Sequence, residues 1–242
     1  MPRPEPYAGR TGCAVGSARL AFFITGTDTG VGKTLISCAL LHAFAVAGKS
    51  VLGMKPVAAG CTASPHGMRC ADVESLRAAS TVQAPREWVN PYALAAPVAP
   101  HLAAQQAGIH LDLALMVNAY RQLQPLAEVI IVEGVGGWIV PFNDSQTSAD
   151  LAQRLSLPVI LVVGMRLGCL NHALLTAQAI HSKGLQLQGW VANRIDPEMA
   201  LFDDNVQSLQ ARLAAPLLGI VPYLDAPQVQ TVTPLLDITL LD

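Results

Sequence analysis

The stretch that decides the fold is Gly26-Thr27-Asp28-Thr29-Gly30-Val31-Gly32-Lys33-Thr34, a glycine-rich run near the start of the chain. It follows an apolar run, residues 20–24, and precedes a run with helical spacing, residues 35–47. A strand, a glycine loop, Gly-Lys-Thr and a helix, in that order, form the layout of a phosphate-binding P-loop. Backbone N–H groups of the loop and of the new helix converge on one point and favour negative charge there.

Two side chains and one irregularity of spacing refine this interpretation. Lys33 adds a mobile positive charge, and Thr34 offers a hydroxyl group to Mg²⁺. Thr27 stands where the usual spacing has its first glycine, and Gly26 lies one position earlier. A plain strand-to-helix turn is the alternative, and the Gly-Lys-Thr context makes it the weaker one. The stretch is therefore a variant P-loop.

The composition indicates a largely buried α/β domain. The chain has 242 residues, of which 52% are hydrophobic and 13% are charged, which suits a parallel sheet covered on both faces. The net charge is −2 and there is no basic run, so no nucleic-acid partner is expected. No apolar stretch approaches the roughly 20 residues of a membrane span, so no membrane partner is expected. The five scattered cysteines form no C-x-x-C pair, which favours reduced thiols in a cytoplasmic protein.

Apolar runs of strand length alternate with segments of helical spacing. The apolar runs are residues 20–24, 50–54, 129–132, 159–163, 187–192 and 217–221. The helical segments are residues 35–47, 112–123, 171–183 and 197–214, and Gly48 and Gly184 occupy positions typical of helix C-caps. The alternation predicts an α/β, P-loop NTPase-like fold with a mainly parallel central sheet and helices on both faces. Residues 1–19 are predicted to be a disordered extension, and residues 20–242 a single domain.

Residues with chemical potential follow the apolar runs, where the predicted strands end. They are Lys55, Glu133, Gly164, Asn193 and Pro222. Because ligands of open α/β sheets bind outside the carboxyl ends of the strands, these residues should meet beside the P-loop.

Three of the polar side chains suggest phosphoryl chemistry, each with a simpler alternative. Glu133 ends an apolar run, where nucleotide hydrolases keep a metal-binding carboxylate, although a solvated strand end would look the same. Lys55 would stabilise charge on a transferring phosphoryl group, whereas an isolated lysine would be a surface charge. Asp72 is either a residue of a helix N-terminus or a Mg²⁺ ligand, and its spacing does not distinguish the two. Asn193 could read the edge of a base or act as a cap.

Together the motifs resemble the dethiobiotin synthetase family, ATP-dependent enzymes that close the ureido ring on the way to biotin. The matching pieces run in family order and are residues 25–34, 55–58, 89–92, 132–138, 162–164, 167–172 and 189–193. The match covers the chain from Phe22 to about Leu224. No single motif is specific to the family, whereas the set is.

The resemblance implies a reaction, its cofactor and an assembly. The substrates would be 7,8-diaminononanoate, CO2 and ATP, with Mg²⁺ bound. CO2 would form a carbamate on one amine, ATP would convert it to a mixed carbamic–phosphoric anhydride, and the second amine would close the ring. Family members are homodimers, so the substrate site would lie at the subunit interface.

The resemblance also implies residue roles, with Lys55 and Lys33 as the catalytic residues. Mg²⁺ would be bound by Thr34, Asp72 and Glu133. The ATP site would comprise Gly30, Val31, Gly32, Lys33, Thr34, Leu35, Asp72, Glu133, Gly134, Val135, Gly136, Asn193, Arg194, Pro222, Tyr223 and Leu224. The diamine would contact Thr29, Lys55, Ala59 and, from the partner subunit, Gly168, Cys169, Leu170 and Asn171.

Two departures from the family and three other classes of protein complete the interpretation. Ala59 stands where the family often has a substrate-contacting serine, and Gly30 where many members carry an acid.

A partition or septum-site ATPase switch shares the fold but usually carries a second lysine at the position of Asp28. A nucleotide-binding domain without catalysis is the second of these classes. A dinucleotide-binding dehydrogenase is disfavoured because the first loop lacks G-x-G-x-x-G.

Overall fold

A computed structural model describes residues 19–65 and 67–241 of the chain. Its strands are β1 (Leu20–Gly26), β2 (Val51–Met54), β3 (Val57–Ala59), β4 (Thr62–Ser64), β5 (Gly67–Arg69), β6 (Tyr92–Leu94), β7 (Val129–Glu133), β8 (Val159–Met165), β9 (Leu187–Arg194) and β10 (Leu217–Val221). Of the predicted disordered extension, residues 1–18 lie outside the described residues.

The described part of the chain also contains nine α-helices and two short 3-10 helices. The α-helices are α1 (Lys33–Val46), α2 (Ala71–Ala79), α3 (Arg86–Val89), α4 (Pro100–Ala107), α5 (Leu113–Leu123), α6 (Ser148–Leu155), α7 (Cys169–Ser182), α8 (Phe202–Gln210) and α9 (Val229–Val232). The 3-10 helices are Thr233–Leu235 and Ile238–Leu241.

Six strands form one parallel sheet in the order β10-β9-β8-β1-β7-β2. Residues of β1 alternate between two apolar cores, because successive side chains of a strand point to opposite faces. Phe22 and Ile24 pack into the core that includes α1, and Phe23 packs into the core that includes α5, α6 and α7. The sheet is therefore covered on both faces, and the predicted fold class is confirmed.

All six predicted central strands are present, and their boundaries agree within a few residues. The predicted helix over residues 197–214 is wrong at both ends, because α8 spans only Phe202–Gln210. The Glu198 N–H donates to the Asp196 carboxylate, and Leu201 has a φ of 51°, so a turn occupies the expected first helical turn. Helix α1 ends as predicted, with Gly48 at a φ of +83° immediately after its C-cap.

The segment between β2 and α5 contains short elements that the sequence patterns did not predict. Strands β3 and β6 pair in parallel, and β4 and β5 form an antiparallel hairpin. Helices α2, α3 and α4 lie in the same part of the chain. This segment forms one wall of the cleft at the carboxyl ends of β2 and β7.

In the described part of the chain, no helix combines the length and the apolar character needed to cross a bilayer.

Asp150 offers a test of how α6 begins. Its carboxylate accepts a hydrogen bond from the Thr147 N–H at 2.7 Å and pairs with Lys183 at 2.6 Å. Burial would raise the pKa of Asp150, but Lys183 and Thr147 outweigh burial and lower its pKa. Because the folded-state pKa is the lower one, this stabilisation is present at neutral pH and disappears as the pH falls through that pKa.

We therefore expect Asp150→Asn to lower the free energy of unfolding by about 1 kcal/mol at pH 7. The difference in the free energy of unfolding from the unmodified protein should shrink below about pH 4, as the pH falls from the ordinary pKa of an aspartate towards the lowered pKa of Asp150. Urea denaturation at several pH values measures both quantities. Asp144→Asn, in the exposed loop before α6, is the control and should change little. A deficit that persists unchanged at low pH would contradict the assignment.

Candidate active site

The centre of the cleft is a buried ion pair between Lys55 and Glu133. In the register of β2 with β7, Met54 pairs with Val132, so Lys55, which follows β2, lies at the level of Glu133, the last residue of β7. The Lys55 ammonium donates to Glu133 Oε1 and, at 3.0 Å, to the Gly134 carbonyl. The side chains are 3% and 0% exposed, so the pair is screened from water. Sheet register therefore brings together two groups that lie far apart in sequence.

Asp72 is a second carboxylate beside the same ammonium. It is the second residue of α2, and its Oδ2 lies 3.1 Å from Lys55 Nζ. Burial alone would lower the pKa of Lys55, but Glu133 and Asp72 outweigh burial and raise its pKa. Burial would raise the pKa of Asp72, but Lys55 outweighs it and lowers that pKa. Both groups are therefore charged at neutral pH.

Oxygen atoms suited to Mg²⁺ converge at this point. Thr34 Oγ1 donates to Glu133 Oε1 at 2.8 Å, while Glu133 Oε2 is buried and has no hydrogen-bond partner among the described residues. Asp72 adds carboxylate oxygens that are partly open to solvent. Mg²⁺ usually takes one or two carboxylates and completes its shell with water and phosphate oxygens. A threonine hydroxyl and two carboxylates, one of which has a buried oxygen without a hydrogen-bond partner among the described residues, fit such an ion.

The glycine loop curls around the start of α1. Gly30 and Gly32 have φ values of +73° and +90°, in the left-handed region that favours glycine. Lys33 Nζ donates to the Asp28 carbonyl at 2.8 Å, so the lysine folds back across the loop. Burial, followed by the nearby Lys55 charge, lowers the pKa of Lys33 to about 8. An anion bound at the loop would therefore favour the charged form of Lys33.

The irregular glycine spacing of the loop has a structural reason. Thr27, at the position of the usual first glycine, accepts a hydrogen bond at its Oγ1 from the Gly164 N–H at 3.2 Å. This contact ties the loop to β8. A Cβ atom on Gly164 would meet the Val31 side chain at 2.6 Å, so a larger residue at that position would displace the loop.

Asp28 also fixes the loop, through a partner that sequence reasoning missed. Its carboxylate pairs with Arg166 at 2.7 Å and accepts a hydrogen bond from the Thr29 N–H. Arg166 follows β8, and 138 positions separate it from Asp28. No local pattern signals such a pair.

Asn193 lies against the other side of the loop. Its Nδ2 donates to the Val31 carbonyl at 2.9 Å, and the residue is 6% exposed. The sequence left open whether Asn193 acts as a cap or reads the edge of a base. In the structure its amide group is not simply a cap, because it connects the end of β9 to the P-loop. The side-chain carbonyl of Asn193 remains for a further partner.

Two cavities border the loop and share Gly30, Gly32 and Leu35 in their walls. The larger has a volume of about 860 Å³ and also contains Lys33, Thr34, Lys55, Asp72, Glu133, Val135, Gly136, Thr29 and Ala59. The smaller, of about 240 Å³, also contains Asn193, Arg194, Pro222, Tyr223 and Leu224. Of the other predicted site residues, Val31 and Gly134 contribute backbone carbonyls to Asn193 and Lys55. Gly168, Cys169, Leu170 and Asn171 line neither cavity.

The larger cavity has an apolar wall that the sequence patterns did not identify. Pro97, Val98, Ala99 and Pro100 line it, at the start of α4. The lining of the cavity therefore combines charged and apolar side chains. Such a lining suits a ligand that carries both polar groups and a hydrocarbon chain.

Comparison with known proteins identifies the family. A family model described as an AAA domain matches residues 21–230. A protein of Nitrosospira multiformis named ATP-dependent dethiobiotin synthetase BioD is 57% identical over 90% of this chain and 94% of its own length. The chain belongs to the ATP-dependent dethiobiotin synthetase family. Proteins of the same name from Xanthomonas axonopodis pv. citri and Aromatoleum aromaticum are each 53% identical over 84% of the chain, covering 91% and 90% of their own lengths.

Solved structures bear on the fold of this dethiobiotin synthetase family member. The MinC:MinD cell division complex of Aquifex aeolicus aligns with a TM-score of 0.53 at 15% identity, covering 91% of this chain and 88% of that one. MinD of Pyrococcus horikoshii, in complex with Mg-ADP, aligns with a TM-score of 0.52 at 16% identity, covering 85% and 81%. At this level of identity the likeness concerns the fold alone.

The contact between Gly32 and Asn193 yields a test of the loop geometry. A Cβ atom at Gly32 would collide with the Asn193 side-chain amide, whereas one at Gly48 would meet open space at a similar φ of +83°. Both alanine substitutions cost about 1–2 kcal/mol for the left-handed backbone. Only Gly32→Ala should also weaken ATP binding, by about tenfold or more, because it displaces Asn193 from Val31.

Isothermal titration with ATP and urea denaturation of both variants measure these two effects separately. Equal ATP affinities for Gly32→Ala and Gly48→Ala would show that the contact of Asn193 with Val31 does not require the lack of a Cβ atom at Gly32.

Proposed function

We propose that this chain catalyses the ATP-dependent carboxylation and ring closure of 7,8-diaminononanoate to dethiobiotin, a step of biotin synthesis. CO2 and ATP are the co-substrates, and ADP and phosphate are the other products. The observation that carries the proposal is the Lys55 ammonium, buried between two carboxylates at the mouth of a P-loop. Family membership supports the identity of the reaction.

The proposed chemistry has three steps that balance in atoms and charge. One amine of the diamine attacks CO2 and loses a proton, which gives a carbamate. A carbamate oxygen then attacks the γ-phosphorus of ATP, and ADP leaves. The second amine attacks the carbonyl carbon of the resulting carbamic–phosphoric anhydride and loses a proton to the departing phosphate, which leaves as the five-membered ring closes.

The protein's contribution to these steps is mainly positioning and charge stabilisation. Lys33 neutralises charge on the phosphates from within the loop. Lys55, at the boundary between the loop and the larger cavity, lies where it can contact both the carbamate and the γ-phosphate. Glu133 holds its partners in place rather than acting as a base. Thr34, Asp72 and Glu133 would hold Mg²⁺, which would offset the negative charge of the phosphate oxygens when bound.

The two cavities suggest how the substrates are arranged. The smaller cavity, with Asn193, Pro222 and Tyr223, suits a nucleotide base. Because the Asn193 amide group donates to the P-loop, its side-chain carbonyl is the group that would accept a hydrogen bond from the adenine amino group. The diamine would lie in the larger cavity, beside Thr29 and Ala59, with its chain against the apolar wall.

A homodimer completes the proposed site. The segment Gly168 to Asn171 lines neither of the two cavities beside the P-loop, and the adjacent Leu167 is 96% exposed. Burial of Leu167 against a second copy would be favourable and would let this segment reach the diamine of the partner subunit. A cytoplasmic location agrees with the consumption of ATP.

Substitution of Lys55 tests the catalytic assignment. We expect Lys55→Ala to lower turnover by ~10²–10³-fold, as the loss of one preorganised charged group does, while ATP still binds. Steady-state ADP release and ATP titration measure the two properties. Lys49→Ala, which removes a more exposed lysine outside the cleft, is the control. Unchanged turnover in Lys55→Ala would remove this residue from the mechanism.

Omission of single components tests the reaction itself. We expect ADP release to require the diamine, bicarbonate as the source of CO2, Mg²⁺ and ATP together. ADP formation that ignores the diamine would instead favour an ATPase switch. ATP binding without any ADP formation in the complete mixture would favour a non-catalytic nucleotide-binding domain.

A further inference from the structure

Lys55 lies at a break between two sheets, and its backbone groups need partners from elsewhere. The central sheet ends at Met54 on this strand, and β3 begins at Val57 in a separate sheet. The residue after Lys55 is Pro56, which has no N–H group to continue a ladder. Lys55 is 3% exposed, so unpaired backbone groups there would be costly.

The segment that runs from α3 into β6 supplies these partners. The Lys55 N–H donates to the Val89 carbonyl at 2.8 Å. The Tyr92 N–H donates to the Pro56 carbonyl at 3.1 Å. Between these two backbone bonds lies Pro91, which cannot donate, and the N–H of Asn90 is engaged with the Arg86 carbonyl at the end of α3. The backbone of the segment therefore leaves the Lys55 carbonyl without a donor.

The side chain of Asn90 fills this gap. Its Nδ2 donates to the Lys55 carbonyl at 2.7 Å and to the Tyr92 carbonyl at 3.1 Å. The residue is 6% exposed, so water does not compete effectively for either bond. A primary amide presents two N–H donors at one nitrogen, which an aspartate of the same shape cannot do.

We propose that Asn90 is a positioning residue for Lys55. Its amide fixes the backbone from which the Lys55 ammonium extends, so that the ammonium lies between Glu133 and Asp72. Asn90 acts through Lys55 and does not itself line the larger cavity. The catalytic role of Lys55 in this inference rests on the proposed function. The placement of Lys55 by Asn90 does not depend on it.

The expected effect of losing Asn90 is on turnover more than on nucleotide affinity. A displacement of about 1 Å in a catalytic group can cost about 10²-fold in rate. The P-loop is formed by another part of the chain, so ATP binding should survive. We expect Asn90→Ala to lower kcat at least tenfold and to change the KM for ATP less than twofold.

A matched control separates this role from general damage to the segment. Tyr92→Phe removes the hydroxyl that accepts a hydrogen bond from the Asp112 N–H at 3.0 Å. The substitution therefore removes the partner of the Asp112 N–H, near the same segment, without affecting the contacts of Lys55. Its kcat should stay within about twofold of the unmodified protein. Both variants are assayed at a temperature at which circular dichroism shows them folded, and Asn90→Ser replaces Asn90→Ala if the latter does not fold.

A second measurement reads the position of Lys55 without relying on catalysis. The folded protein and both variants are treated with a limiting amount of acetic anhydride, and acetylation of Lys55 is quantified by mass spectrometry relative to Lys49. We expect at least a threefold faster acetylation of Lys55 in Asn90→Ala, and no change in Tyr92→Phe.

The two measurements together decide the proposal. Equal loss of kcat in both variants, or unchanged Lys55 acetylation in Asn90→Ala, would overturn it. If the unmodified protein shows no diamine-dependent ADP release, the proposed function fails. The acetylation result then still decides whether Asn90 holds Lys55.

Discussion

The ion pair of Lys55 with Glu133 is the interaction on which the cleft depends. Two charges are removed from water at the ends of adjacent parallel strands, and each is the main counter-charge of the other. Removal of one partner from such a buried pair typically costs about 3–5 kcal/mol, whereas an apolar replacement of both is often neutral or stabilising. The pair is therefore poorly explained as a stability device, and its place in the cleft favours a chemical role.

The rest of the site is arranged around this pair by elements that are themselves rigid. The register of β2 with β7 sets the separation of the two backbones, and α1 brings Thr34 to the same carboxylate. Helix α2 adds Asp72 from the segment that covers the cleft. Preorganised charges of this kind act without reorganisation during the reaction, which is the main way in which proteins promote phosphoryl transfer.

Much of this arrangement could be predicted from the sequence, because its signals are local. The P-loop, the central strands and the residues that follow them are contiguous patterns, and parallel strands bring their carboxyl ends together. Between β2 and α5, strands β3 to β6 and helix α3 escaped prediction because elements of three or four residues are too short to show a period. Helices α2 and α4, of nine and eight residues, span little more than two turns, which is too few for a clear apolar period. The pair of Arg166 with Asp28 escaped it because a contact across 138 positions leaves no trace in either neighbourhood. The roles of Gly168 to Asn171 stay a prediction, since they require a second copy of the chain.

The most direct test of the account follows the oxygen atoms of CO2. The central claim is that a carbamate oxygen, held near Lys55, attacks the γ-phosphorus. If so, phosphate released from freshly added C¹⁸O2, before exchange with water, carries one ¹⁸O atom, which is visible as an isotope shift in ³¹P NMR. Phosphate that takes its new oxygen from water instead would contradict the account, because water would then be the nucleophile.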